Sequence, residues 1–242
     1  MLYEQPRLYD ALYDGFHDDI PFFLRLAKAT DQPVCELACG TGRVAVALAE
    51  KGVPVLGIDL SLPMVEAARE RARSAGGAAG SAEFIHGDMR EPHGTERFGA
   101  VFVPLHSLSH LTSADDLLTA LAAIHQSLVP GGTLALALHN PDAAYLARSN
   151  EGLERVHPHL SAVAVYETHQ YFPVSQLLEL KWYIETAEET SLVTFSLRMI
   201  YPEELLVLLR YAGFDVVERY GWYDGRPLRD DSGTQIVVAR RL

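Results

Sequence analysis

The stretch Glu36-Leu37-Ala38-Cys39-Gly40-Thr41-Gly42 decides the fold. It closes a short apolar run, residues 34–38, and opens onto a helix-period segment lasting to about Lys51. Glycine at positions 40 and 42 permits a sharp turn and lets a ligand approach the backbone with no Cβ in the way. The longer string Gly40-Thr41-Gly42-Arg43-Val44-Ala45 fits the relaxed G-x-G-x-x-A pattern of a nucleotide-binding strand-to-helix turn. Alone, the pattern also describes an ordinary turn, so the surrounding periodicity must carry it.

Outward from the loop, Gly52 ends the first helix and residues 53–58 form a second apolar run. Ser61 and Pro63 have the chemistry of a helix start, and that helix runs to about Ser74. Residues 75–80, all glycine and alanine, read as a flexible surface loop. Residues 82–86 and 98–103 read as strands three and four. Residues 115–128 read as a helix stopped by Pro130-Gly131-Gly132, with residues 133–139 as strand five. Apolar runs alternating with helix-period segments predict a mostly parallel α/β sheet.

After Asn140-Pro141 the period changes to two. Leu178, Leu180, Trp182 and Ile184 alternate with Glu179, Lys181, Tyr183 and Glu185. Val193, Phe195, Leu197 and Met199 repeat the pattern, with Glu188-Glu189 at the turn between, and residues 161–172 are a weaker third candidate. Residues 150–199 thus predict an inserted antiparallel layer of two or three strands. A helix opened by Pro202 and closed by Gly213 follows, then strands at 215–220 and 235–239. The expected organisation is a helical lid at 1–32, a core at 33–149 and 200–242, and a covering layer at 150–199.

With 242 residues, 48% of them hydrophobic, the chain can bury one large core. A formal net charge of −12, with basic residues no more than paired as in Arg240-Arg241, is wrong for a phosphate backbone. No nucleic-acid partner is expected. No apolar run reaches the ~18 residues of a membrane span, and early acids leave no signal-peptide core. Cys35 and Cys39 suit reduced thiols in a cytoplasmic protein.

Asp59 ends strand two, 17 residues beyond Gly42, where a carboxylate can accept both hydroxyls of a ribose. That serves NAD and S-adenosylmethionine (SAM) equally. Glu36 favours SAM. It lies in the loop approach, where it can meet a methionyl amino group, whereas it would repel a dinucleotide pyrophosphate. Asp88, in Gly87-Asp88-Met89-Arg90, adds an acid at the same sheet edge, placed to accept a hydrogen bond from an adenine amino group.

With these motifs in order, residues 34–139 resemble the Rossmann-like core of a class I SAM-dependent methyltransferase, which has a seven-stranded sheet. Tyr9-Asp10-Ala11-Leu12-Tyr13 adds a likeness to the small-molecule branch, of the sugar-amine N,N-dimethyltransferase and glycine/sarcosine type. The resemblance implies that Glu36 and the backbone of Ala38, Gly40 and Gly42 hold the methionine end and Asp59 the ribose. It places Leu60 and Met64 beside the adenine, Asp88 and Met89 capping it, and Leu105 with His106 on the floor. Tyr9 or Tyr13 would close over the sulfonium.

Transfer of a methyl group from a sulfonium relies on alignment and exclusion of water. A protonated acceptor must also lose a proton, and His110 and His106 in Pro104-Leu105-His106-Ser107-Leu108-Ser109-His110 are candidate bases. The same residues suit plain pocket wall. The H-x-x-x-H spacing lacks a third ligand, so no metal is expected. The expected function is methyl transfer to N or O of a small-molecule acceptor by a monomer or homodimer. An NAD-linked oxidoreductase and a non-catalytic SAM-binding module are the alternatives.

Overall fold

The computed structural model describes residues 2–148, 152–157, 160 and 163–242. A 3-10 turn, Leu2–Glu4, precedes α1 (Pro6–Tyr13) and α2 (Ile20–Ala27). Alternation then begins with β1 (Val34–Leu37), α3 (Arg43–Ala49), β2 (Val55–Asp59), α4 (Leu62–Ser74), β3 (Ala82–His86) and β4 (Phe98–Val103). It continues through α5 (Ala114–Ser127), β5 (Leu128–His139) and the short α6 (Ala143–Ala147). The insertion holds β6 (Glu154–Val156), β7 (Ala164–Phe172), β8 (Leu177–Glu185) and β9 (Thr190–Arg198). The chain returns through α7 (Pro202–Tyr211), β10 (Phe214–Tyr220) and β11 (Thr234–Arg241).

Seven strands form the main sheet in the order β10-β11-β5-β4-β1-β2-β3, parallel except for β11, which runs antiparallel to both neighbours. β1 and β4 are buried along their whole length, as central strands covered on both faces must be. One face carries α2 and α3 on Val34, Ala100 and Phe102; the other carries α5 and α7 on Leu37, Val101 and Val103. Ser61 caps α4, accepting from the Met64 N–H at 3.4 Å, and Ser113 caps α5, accepting from Asp116 at 3.0 Å. No described helix is long and apolar enough to cross a membrane.

Four expectations are corrected. Residues 75–80 hold a 3-10 turn, Gly76–Ala79, rather than an irregular loop. Pro130-Gly131-Gly132 does not break the chain: Leu128 pairs with Phe98 and Thr133 with Ala100, so the extra residues bulge within one strand. The covering layer has four strands, β6-β7-β8-β9, because the polar Glu154-Arg155-Val156 adds an edge that alternation could not reveal. Residues 161 and 162 of the third candidate lie outside the described residues. The helical lid ends with α1, since α2 buries Phe22, Phe23, Leu26 and Ala27 in the main core.

The leading turn and α1 pack instead on the covering sheet. Leu2 and Leu12 share a cluster with Val165, Trp182, Ile184 and Val193.

Candidate active site at the ends of β1, β2 and β4

Strand order reverses between β1 and β4, which opens a crevice at their carboxyl ends. The backbone leaves the sheet there at positive φ: 52° at Ala38, 49° at Leu105 and 63° at His106. Side-chain-bearing residues rarely adopt such angles, and their clustering marks a functional crevice. Glu36, Ala38, Arg43 and Leu105 line a narrow cleft bordered by Tyr9.

The charge balance in this cleft is incomplete. Arg43 donates to both oxygens of Asp19, at 2.7 and 2.5 Å, and to the Phe16 carbonyl at 2.6 Å. Asp19 is fully buried and Glu36 is 3% exposed, so one guanidinium serves two buried carboxyls. Oε2 of Glu36 has no hydrogen-bond partner among the described residues. Burial raises its pKa to about 8, against the opposing pull of Arg43 and the Ala45 amide. A cation with N–H donors would complete this arrangement.

Asp59 accepts from the Gly40 N–H and the Ser61 N–H, each at 2.8 Å, and burial raises its pKa. Each oxygen retains a lone pair for a ribose hydroxyl. A Cβ on Gly40 would sit 3.3 Å from the Tyr9 ring, so loop, ribose acid and lid converge at that residue. Gly42 is different. A Cβ there would meet Ala68 at 3.0 Å and Phe84 at 3.1 Å, and its N–H is committed to the Cys39 carbonyl. A side chain at Gly42 would therefore clash with the packing behind the loop.

At the adenine end, Leu60 is 65% exposed beside Asp59, while Met64 is fully buried in the first turn of α4. Arg90 grips both oxygens of Asp88 and reaches Asp116 at 2.8 Å, and these bonds lower the Asp88 pKa. The Met89 side chain turns to the opposite face of the sheet, among Cys35, Leu37 and Ile124. Only its backbone is left to face an adenine.

α1 is tied to the crevice by polar contacts. Asp10 accepts from Thr41 Oγ1 at 2.6 Å and pairs with Arg71 at 3.1 Å; Asp14 pairs with Arg71 at 2.6 Å. Tyr9 and Tyr13 pack with ring centroids 4.8 Å apart and planes tilted by 42°, and burial pushes both phenols well up. Tyr3, which sequence reasoning missed, sits between: its hydroxyl is 2.7 Å from His110 Nε2 and its carbonyl accepts from Ser61 Oγ at 2.5 Å. Burial lowers His110 to about 4. His106 stacks on His139, also missed, at 3.7 Å, its Nδ1 lacks a partner among the described residues, and burial lowers both rings. No metal-ligand cluster of three or more occurs among the described residues.

Fold, switch-point crevice and acid pair point to a class: the chain has the fold of the class I SAM-dependent methyltransferases, and residues 34–132 match the family described as "Methyltransferase domain". SAM is the cofactor of that class. Over nearly its whole length the chain is similar to the CcbJ methyltransferase from Streptomyces caelestis, with TM-score 0.84 and 28% identity across 98% of this chain and 96% of that one. It is 27% identical to a glycine/sarcosine N-methyltransferase of Aphanothece halophytica over 91% of this chain and 80% of the relative. It is 33% identical to the O-methyltransferase resE of Aspergillus sclerotiorum over 52% of this chain and 49% of that protein. The chain spans about half the length, 40 to 52%, of curated relatives that it matches at 30% identity or more.

Proposed function

We propose that the protein transfers a methyl group from SAM to a nitrogen or oxygen of a small molecule held between the lid and the covering sheet. The observation that carries this reading is Glu36, a buried carboxyl with a free oxygen beside an arginine already claimed by Asp19. Bound SAM supplies an electrophilic methyl on a sulfonium. In this assignment Glu36 takes the α-ammonium, the backbone at Ala38, Gly40 and Gly42 lines the methionine end, and Asp59 takes the ribose hydroxyls. Leu60, Met64, Asp88 and the Met89 backbone surround the adenine, and Leu105 forms the floor. Tyr9 and Tyr13 exclude water, and His110 and His106 line the acceptor side.

The relatives' names include both N- and O-methyltransferases, so the fold family leaves the acceptor atom open. Buried thiols at Cys35 and Cys39, with no disulfide, support a cytoplasmic protein. The net charge of −12 supports a small-molecule partner rather than nucleic acid, for a monomer or a homodimer. Calorimetry with SAM, its demethylated product and NAD tests the reading. Micromolar SAM binding with no NAD binding is expected, and NAD binding tighter than SAM would overturn it.

A further inference from the structure

The covering sheet carries a charged group that cofactor binding does not use. Its inner face is an apolar grid in which Val165, Ile184, Val193 and Leu180 surround Trp182. Glu167, paired across the strands with Trp182 and 7% exposed, interrupts that grid. Trp182 Nε1–H donates to its Oε2 at 2.7 Å, and the Tyr145 hydroxyl donates to its Oε1. Both donors are neutral.

Among the described residues, no lysine or arginine comes within ion-pair distance of this carboxylate. His169 Nδ1 lies 3.5 Å from Oε1 and carries charge only when protonated, while its Nε2–H is committed to the Tyr145 carbonyl at 3.1 Å. A carboxylate taken out of water among apolar side chains is costly unless a cation answers it. The Tyr145 and Trp182 bonds leave lone pairs to receive further donors.

The surroundings are aromatic. Tyr145 stacks on His169 at 4.2 Å, Trp182 meets Phe195 edge-on at 5.0 Å, and Phe195 continues to His110 at 6.2 Å. Tyr13 of the lid packs in the same cluster as Trp182, and the charge of Glu167 helps push its phenol up. Aromatic faces around a buried carboxylate attract ammonium groups and offer little to neutral hydroxyls.

We infer that the acceptor is a cationic amine and that Glu167 is the carboxylate that recognises its ammonium, within a wall formed by Tyr13, Tyr145 and Trp182. This rests on the methyltransferase reading and adds a substrate class to it. Access requires α1 to lift, because Tyr13 lies over this wall. An alcohol of the same shape would leave the carboxylate without its cation.

The probes are cyclohexylamine, protonated at neutral pH like a lysine side chain, and cyclohexanol. Each is titrated into the full chain saturated with S-adenosylhomocysteine. The wild type should bind the amine at least about tenfold more tightly than the alcohol. Glu167→Gln, which keeps an acceptor for Trp182, should remove that preference and leave alcohol binding unchanged. Equal binding of amine and alcohol to the wild type would overturn the inference whether or not the variant folds. So would undiminished amine preference in a folded Glu167→Gln protein. Wild-type protein that fails to bind S-adenosylhomocysteine would overturn the methyltransferase reading instead.

Discussion

Glu36→Gln removes the buried carboxyl that a methionyl ammonium would answer while keeping its size. At pH 7 a carboxyl with pKa about 8 is about 0.9 protonated. The α-ammonium of a free amino acid, flanked by its own carboxylate, is almost fully protonated at pH 7. If the two bind as an ion pair, Glu36 releases about 0.9 proton at pH 7 and the ligand takes up almost none. Affinity should therefore rise with pH up to about 8, approaching tenfold per pH unit well below that, as the proton on Glu36 becomes easier to displace.

S-adenosylhomocysteine is the ligand of choice, since it shares the methionyl end and lacks the sulfonium. Calorimetry at pH 7, 8 and 9, in two buffers of different ionisation enthalpy, reads the proton count directly. Glu36→Gln should abolish the release at pH 7 and weaken binding at pH 8 by about 10- to 150-fold, the loss of about 1.5–3 kcal/mol expected when a hydrogen bond loses its charged partner. Identical heats in both buffers at pH 7, or a glutamine variant that binds like the wild type, would refute the reasoning.

Asp59→Ala should weaken SAM by about 1.5–3 kcal/mol through lost ribose bonds, and unchanged affinity by calorimetry would misplace the ribose. Residues 2–16 should exchange their amide hydrogens quickly without cofactor and slowly with it, since ion pairs such as Arg71 with Asp10 and Asp14 are partly exposed; exchange indifferent to SAM counts against a lid. Stability should fall on acidification from about pH 6.5 towards 4. His106, His110 and His139 are held below the ordinary imidazole range, so the unfolded chain takes up their protons first. For His110 alone the contribution present above pH 6.5 and lost by pH 4 is about 3 kcal/mol; a His110→Gln protein with the same acid-unfolding curve as the wild type would contradict this.

What the sequence revealed was local. Glu36, Gly40 and Asp59 stand at strand ends set by apolar runs, and a strand-to-helix turn admits few residue types there. Ser61 could be read as a cap for the same reason. What it concealed depends on distant partners. Asp19 is an unremarkable acid until folding places it against Arg43, 24 residues on. Tyr3 gains its role from His110, 107 residues away. Glu167 reads as a solvent-facing position until register sets it opposite Trp182. The packing of Ala68 and Phe84 against Gly42 was hidden too, because both come from later elements. His157 and His159, either side of Pro158, read locally as an exposed loop, yet His157 packs edge-on against Trp182 at 5.3 Å; Pro158 and His159 lie outside the described residues.

The chemistry turns on His110, and we expect it to act as pocket wall rather than as a general base. With the lid closed, burial holds His110 at about 4 and the Tyr3 hydroxyl engages its Nε2. Taking a proton from an ammonium of pKa about 10.4 would then be uphill by about 8–9 kcal/mol. An amine acceptor that Glu167 captures as its ammonium while the lid is open must then give that proton to solvent before the lid closes, and in this reading His110 serves with Tyr3 as wall and anchor. His110→Ala should accordingly cost about tenfold or less in turnover, through alignment. Tyr13→Phe should be the more damaging change, since Tyr13 belongs to the lid that covers the acceptor side. Turnover of both variants from pH 6 to 9 decides the matter. A loss of about 10²–10⁴-fold in His110→Ala, with the acidic limb of the profile removed and SAM binding intact, would restore the base role. The closed geometry would then have to open enough to return His110 to its ordinary basicity during each turnover.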